Sequence, residues 1–166
     1  MKNLTEQVNT LGASLRLPYE ALVQCVYTEL AQRGFPDIRP SHGAVFRHVL
    51  PDGSRVTDLA GRARMTKQSM AYLVDYLHER GYVEFAPDPT DGRAKLVRLT
   101  GRGTRVLETL VAIGQRTEAE LTNELGAEQM AILRALLERL RQGLERRHES
   151  TEPAAAAGQG VASVKN

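Results

Sequence analysis

The chain has 166 residues, 42% of them apolar, and its 22 basic and 20 acidic side chains leave a formal charge of +2. That size and balance suit one soluble domain with an ordinary core. No apolar run exceeds five residues, which excludes a membrane-spanning helix. The opening Met1-Lys2-Asn3-Leu4-Thr5-Glu6 lacks the apolar block of a signal peptide, and the single cysteine, Cys25, excludes an internal disulfide or a CxxC pair. The expected location is the cytoplasm.

Charge is nearly even along the chain. Residues 1–53 hold five basic and five acidic side chains, and residues 101–149 hold eight of each. The surplus sits in residues 54–100, with eight basic against six acidic. So weak a bias describes a solvated face as readily as a nucleic-acid footprint.

Leu4, Val8, Leu11 and Leu15 recur at helical spacing, and predict a first helix over 4–15. Pro18 is expected to end that pattern and to open a second helix carrying Leu22, Val23, Val26, Tyr27 and Leu30 up to Gly34. Pro36 and Pro40 bracket a loop. Residues 41–50 form a short helix with Val45, Phe46 and Val49 on one side, and Pro51-Asp52-Gly53 is a turn. Thr57 or Asp58 opens another short helix with Leu59, Ala60 and Ala63. Thr66 is a natural N-cap for a helix carrying Met70, Leu73, Val74 and Leu77, stopped by Gly81.

The hydrophobic period then changes from 3.6 to 2. Tyr82 to Ala86 and Lys95 to Leu99 read as paired strands. The seven residues from Pro87 to Arg93 read as a long, projecting loop marked by Asp91-Gly92. Two long helices follow, over roughly 101–124 and 127–147. The second bears Met130, Leu133, Leu137, Leu140 and Leu144 in a stripe too short for a free coiled coil but in need of partners. Residues 150–166, with Pro153, four alanines and Gly158-Gln159-Gly160, read as a disordered tail. The expected class is mainly α with a small β-hairpin wing. A winged helix-turn-helix lobe (34–100) is expected between N-terminal helices (1–33) and C-terminal helices (101–149).

Two short helices joined at Arg64-Met65-Thr66 and followed by a hairpin make a helix-turn-helix with a wing. The residues opening the second helix, Thr66, Lys67, Gln68 and Ser69, with Tyr72 one turn on, have side chains that can read base edges in a major groove. In isolation they are also an ordinary polar helix start. Arg93, after Asp91-Gly92, can enter a narrow minor groove. Asp91 either orients that guanidinium or serves the turn. Arg64 and Lys95 complete the candidate DNA-binding set.

The stretches Thr57-Asp58-Leu59-Ala60, Thr66-Lys67-Gln68-Ser69, Leu73 to Val83, Asp88 to Lys95 and Leu99-Thr100 resemble the MarR family of winged-helix transcriptional regulators, over about residues 22–145. The resemblance implies a homodimer whose two lobes read an inverted repeat in double-stranded DNA, with half-sites about 10 bp apart. It implies Thr66 to Ser69 and Tyr72 in the major groove and Arg93 in the minor groove. It also implies a repressor released when a small anionic or phenolic ligand favours another lobe spacing. The resemblance also implies that the helices over 1–33 and 101–149 form a dimerisation platform. Arg16, Tyr19, Arg39 and His42 are the candidate ligand-lining residues. Thr90 stands where family wings often carry the first arginine of Asp-x-Arg-Asp-x-Arg, which implies weaker backbone affinity.

The competing reading is a helical protein–protein interaction module using the Met130–Leu144 face. A thiol- or metal-sensing variant of the regulator is a further alternative. Some members of the resembled family sense peroxides through a cysteine in this helix, but nothing near Cys25 in sequence supplies a cation, and a buried, inert thiol is expected. The four histidines have no metal-ligand spacing, and Gly101-Arg102-Gly103 lacks the third glycine of a dinucleotide loop. No cofactor and no catalytic constellation are expected.

Overall fold

The computed structural model describes the backbone over residues 10–156 and side chains to residue 147. The elements, in order, are α1 (Leu11–Gln32), a 3-10 turn (Pro40–His42), α2 (Gly43–His48), α3 (Val56–Arg62), α4 (Lys67–Glu79), β1 (Val83–Asp88), β2 (Asp91–Leu99), α5 (Gly101–Leu125) and α6 (Ala127–Ala156). Among the described residues no helix is long and apolar enough to cross a membrane. The chain divides into two compact units, residues 1–117 and 118–166.

Three of the expected boundaries move. Pro18 lies inside α1 rather than between two helices. The helix starts at Leu11, with Thr10 Oγ1 accepting the Ala13 N–H at 3.3 Å, so Leu4 and Val8 fall outside the described residues. A proline costs its helix one hydrogen bond, here to the Ser14 carbonyl, and this stretch is exposed enough for water to replace it. The 41–50 helix divides into the 3-10 turn and α2. The backbone of α6 is helical to Ala156, so the segment expected to be a tail from residue 150 begins as helix, and residues 157–166 lie outside the described residues.

The core of the first unit draws on every element there. Leu30 comes from α1, Ile38 from the following loop, Val45 and Phe46 from α2, and Leu59 from α3. The hairpin contributes Val83 and Val97, and α5 contributes Val106 and Ile113. All four residues of the expected α4 stripe, Met70, Leu73, Val74 and Leu77, are buried. Cys25 departs from expectation: it is exposed on α1, because the helix turns Leu30, Val26 and Tyr27 toward the core and Cys25 away from it.

Helix ends are closed in one way. At α1, Gly34 N–H bonds the Ala31 carbonyl and Phe35 N–H the Leu30 carbonyl, each at 3.2 Å. At α4, Gly81 and Tyr82 repeat the pattern on His78 and Leu77. Both glycines take positive φ, as this cap requires.

The hairpin pairs Val83 with Leu99 through Pro87 with Lys95, then jumps to Asp88 with Asp91. The strands therefore run further than the alternation suggested. Only Pro89-Thr90 connects them, and Gly92, Arg93 and Ala94 are unmatched on β2. A third contact holds the wing from below: Ser54 exchanges both backbone bonds with Val97, at 3.0 and 2.9 Å.

A polar cluster fastens the end of α4. Tyr82, fully buried, donates its hydroxyl to Asp37 Oδ1 at 2.7 Å and accepts from Arg102 Nη2 at 2.9 Å. Burial, then the bond to Asp37, pushes its phenol up to about 12. Tyr76 lies between the Arg80 guanidinium, 3.6 Å from its ring centroid, and the stacked His42 ring at 4.4 Å. Burial, then the charges of Arg39 and Arg80, lowers the His42 pKa against the opposing pull of Asp37.

A neutral His42 makes the lobe sensitive to acid. Its contribution is fully present above the ordinary histidine value of 6.5 and is lost as pH falls through the lower folded value. The melting temperature should therefore drop between pH 7 and pH 5, and His42→Gln should flatten that slope. A slope unchanged in the variant would assign the acid sensitivity elsewhere.

Candidate nucleic-acid interface

The start of α4 is built by its cap. Thr66 Oγ1 accepts the Ser69 N–H at 3.1 Å and donates to Ser69 Oγ at 2.8 Å. Lys67, Gln68 and Ser69 follow on the exposed side, and Tyr72 is 72% exposed despite its size. The buried stripe on the opposite face fixes the rotation of the helix, so these side chains face outward together.

Arg64 occupies the turn into α4. Arg64 and Met65 N–H groups close α3 on the Gly61 and Ala60 carbonyls, repeating the cap seen at Gly34 and Gly81. Here an arginine adopts φ +51°, the one positive φ outside glycine among the described residues. Its side chain is exposed.

On the wing, Asp91 Oδ1 accepts the Arg93 N–H at 3.1 Å, and Asp91 Oδ2 lies 3.6 Å from Arg55 Nη2. Asp91 therefore serves the turn and leaves the Arg93 guanidinium without an ion pair or hydrogen bond among the described residues. Lys95 is exposed too, with Nζ 5.8 Å from the Phe85 ring centroid.

Local reading missed the latch beneath the wing. Asp88 is 6% exposed, and its Oδ1 takes both the N–H and the hydroxyl of Thr90, at 2.8 and 2.7 Å. Its Oδ2 receives Arg55 Nε at 2.7 Å. The Thr90 bonds first, then Arg55, hold the Asp88 carboxyl down to about 2. These bonds close the turn early, which is why the loop is short. Thr90 thus has a structural task where family wings often carry arginine. Arg55, 33 positions from Asp88, had no local signal.

Of the four candidate ligand residues, Arg39 and His42 touch each other. Arg16 pairs with Glu20 at 2.9 Å on the exposed side of α1, where Tyr19 is 61% exposed. Arg39 is exposed, and its N–H is accepted by Nδ1 of the buried His42 at 3.1 Å. None of the four lines the concavity of about 590 Å³ beside α4, which is walled by Ser41, Arg47, Met65, Gln68, Ser69 and Tyr72 among others. Among the described residues no group of three His, Cys, Asp or Glu is placed to hold a metal.

Residues 37–94, from the loop before α2 to the wing, match the MarR family. The transcriptional regulator HosA of Escherichia coli is 28% identical over 115 residues, spanning 69% of this chain and 85% of HosA. The fold of this chain is shared with a mutant MarR from E. coli complexed with operator DNA, at 24% identity, TM-score 0.67 and coverage of 84% and 99%. It is shared likewise with the S. aureus MepR–DNA complex, at 22% identity, TM-score 0.66 and coverage of 82% and 99%.

Proposed function

We propose that this chain is a cytoplasmic, homodimeric transcriptional regulator of the MarR family that reads an inverted repeat in double-stranded DNA. In this reading it is a repressor released by a small anionic or phenolic ligand. One observation carries the DNA reading: Lys67, Gln68 and Tyr72 on α4 and Arg93 on the wing stand outward, and no described carboxylate pairs with Arg64, Lys67 or Arg93. Residues 34–100 are the DNA-binding lobe in this proposal, with Thr66 to Ser69, Tyr72 and Arg64 at the major groove and Arg93 and Lys95 on the wing. The described fold neighbours complexed with DNA support it.

Residues 1–33 and 101–149 form the dimer platform. Leu11, Leu15, Leu17 and Leu22 are exposed on α1, and Ile132, Leu133, Leu136, Leu137 and Leu144 are exposed on α6. Burying each such side chain fully contributes about 1.5–3 kcal/mol, so both helices gain from association. If the dimer neutralises about 6–10 phosphates, its affinity for DNA should fall steeply with ionic strength, and Arg93→Ala should weaken binding with the fold intact. Failure of the wild-type chain to retard the DNA upstream of its own gene, even at low salt, would instead favour the helical interaction module.

Arg64 separates stability from binding. A left-handed backbone costs a non-glycine residue about 1 kcal/mol, so Arg64→Gly should raise the melting temperature. The same change removes a cation from the groove-facing turn, so DNA affinity should fall. Weaker folding in Arg64→Gly, or undiminished binding, would contradict this assignment.

A further inference from the structure

Arg47, on α2, belongs to no motif and was not among the candidate residues. The structure sets it apart by three features. Gly43, one turn earlier and buried, leaves room for it: a Cβ there would stand 3.2 Å from Arg47 Nη1 and 2.6 Å from Tyr27 Oη. A glycine thus lets the guanidinium lie back over the first turn of α2 beside the Tyr27 hydroxyl. The guanidinium then has no hydrogen bond or ion pair among the described residues. Finally, Arg47 shares the concavity of about 590 Å³ with Gln68, Ser69 and Tyr72 of α4. Among the described residues Arg47 is the only charged one lining it, and no carboxylate is there to neutralise it.

We infer that Arg47 seats a phosphate of the DNA backbone at the edge of the major-groove helix, with Ser41 and Ser69 as neutral hydroxyls on the same wall. The inference rests on the DNA reading proposed above and deepens it. A groove walled by base-reading residues on one side and a single unneutralised cation on the other suits one strand of a duplex, whose bases and phosphates lie side by side. Ala44, Met65 and Leu73 give the concavity apolar surface, which suits a sugar edge better than a second charge. Contacts of this kind fix register and carry no sequence information of their own. Arg47 is therefore a positioning residue, and its loss should weaken all duplexes alike.

The test compares wild type with Arg47→Gln and Arg47→Lys, using fluorescence polarisation on two probes, the DNA upstream of the gene and a mixed-sequence duplex, across a salt series. Arg47→Gln should lower affinity for both probes by about tenfold and reduce the slope of log K against log salt by about one. Arg47→Lys should keep the slope. The residue is exposed, so melting curves of the variants should match wild type. A slope unchanged in Arg47→Gln overturns the inference while leaving the DNA reading intact. A wild-type chain that binds neither probe overturns both. Because an oxyanion can also come from a small molecule, benzoate and inorganic phosphate are titrated in parallel. Benzoate binding that is lost in Arg47→Gln, with the DNA slope unchanged, would assign the seat to a small ligand and overturn the inference.

Discussion

Gly103→Ala should destabilise the first unit by about 3 kcal/mol or more, the upper range for overpacking a rigid contact. A Cβ on Gly103 would stand 2.0 Å from the Tyr82 carbonyl oxygen and 3.0 Å from its carbon. Both are backbone atoms, which no rotamer change can move. The strand start is held in place as well: Thr100 N–H bonds the Tyr82 carbonyl at 3.1 Å, Thr100 Oγ1 donates to Gly81 O at 2.6 Å, and Gly103 N–H returns to Thr100 Oγ1 at 3.1 Å. Neither α5 nor the turn can shift without breaking this set. Helix propensity opposes the effect, since alanine is better than glycine by about 1 kcal/mol within a helix. Gly114, in the same helix, has nothing within 4 Å of its added Cβ, so Gly114→Ala should stabilise. Opposite shifts in melting temperature from one substitution at two sites of α5 would confirm the close approach. Equal shifts would refute it.

The second large effect is expected on binding rather than folding. Asp88→Ala removes the acceptor shared by Thr90 and Arg55, so the wing loses its turn closure and its tie to the start of α3. The hairpin ladder and the Ser54–Val97 bridge remain. The fold should therefore survive with a loosened tip, and Arg93 would be presented in many orientations. A contact delivered by a disordered arm loses most of its value, so DNA affinity should fall on the order of tenfold, as for one lost base pair contact. Asp88→Asn should fall between, because an amide oxygen can still accept from Thr90 but carries no charge for Arg55. A folded-state pKa depressed to about 2 means the latch is complete above the ordinary value of 3.8 and is lost only as pH falls through about 2. Between pH 5 and pH 8 Asp88 should contribute no pH dependence to DNA binding. Wild-type affinity in Asp88→Ala would show that the wing tip does not depend on this carboxylate.

These effects differ in how far they could be read from residues alone. The α4 stripe was legible because a helix packed on one side repeats every 3.6 residues, and the Thr66 cap because the N-cap needs a side-chain oxygen at one position. Both are local rules. The continuous α1 was not legible, because proline's preference against helix interiors was offset by an exposed stretch where water serves the orphaned carbonyl. Gly103 stood out in the sequence only as part of an incomplete dinucleotide loop, and its constraint comes from Tyr82, 21 positions earlier. Wing length was misjudged because Asp91-Gly92 marks a turn in sequence, whereas Asp88 and Thr90 close it.

By itself, then, the sequence determined the order of elements from α3 onward, the buried stripe of the α4 helix, the two-stranded wing and the resemblance to the MarR family, since each rests on spacing between near neighbours. Only the tertiary structure decided which side chains are spent on the protein and which stand outward. Arg55, Asp88, Asp37, Tyr82 and Arg102 are engaged with one another or with the backbone, while the side chains of Arg47, Arg64, Lys67 and Arg93 have no hydrogen bond or ion pair among the described residues. A charged side chain reads alike in either role. Its role is set by a counterpart many residues away, brought within about 3 Å by burial of an apolar core that placed both.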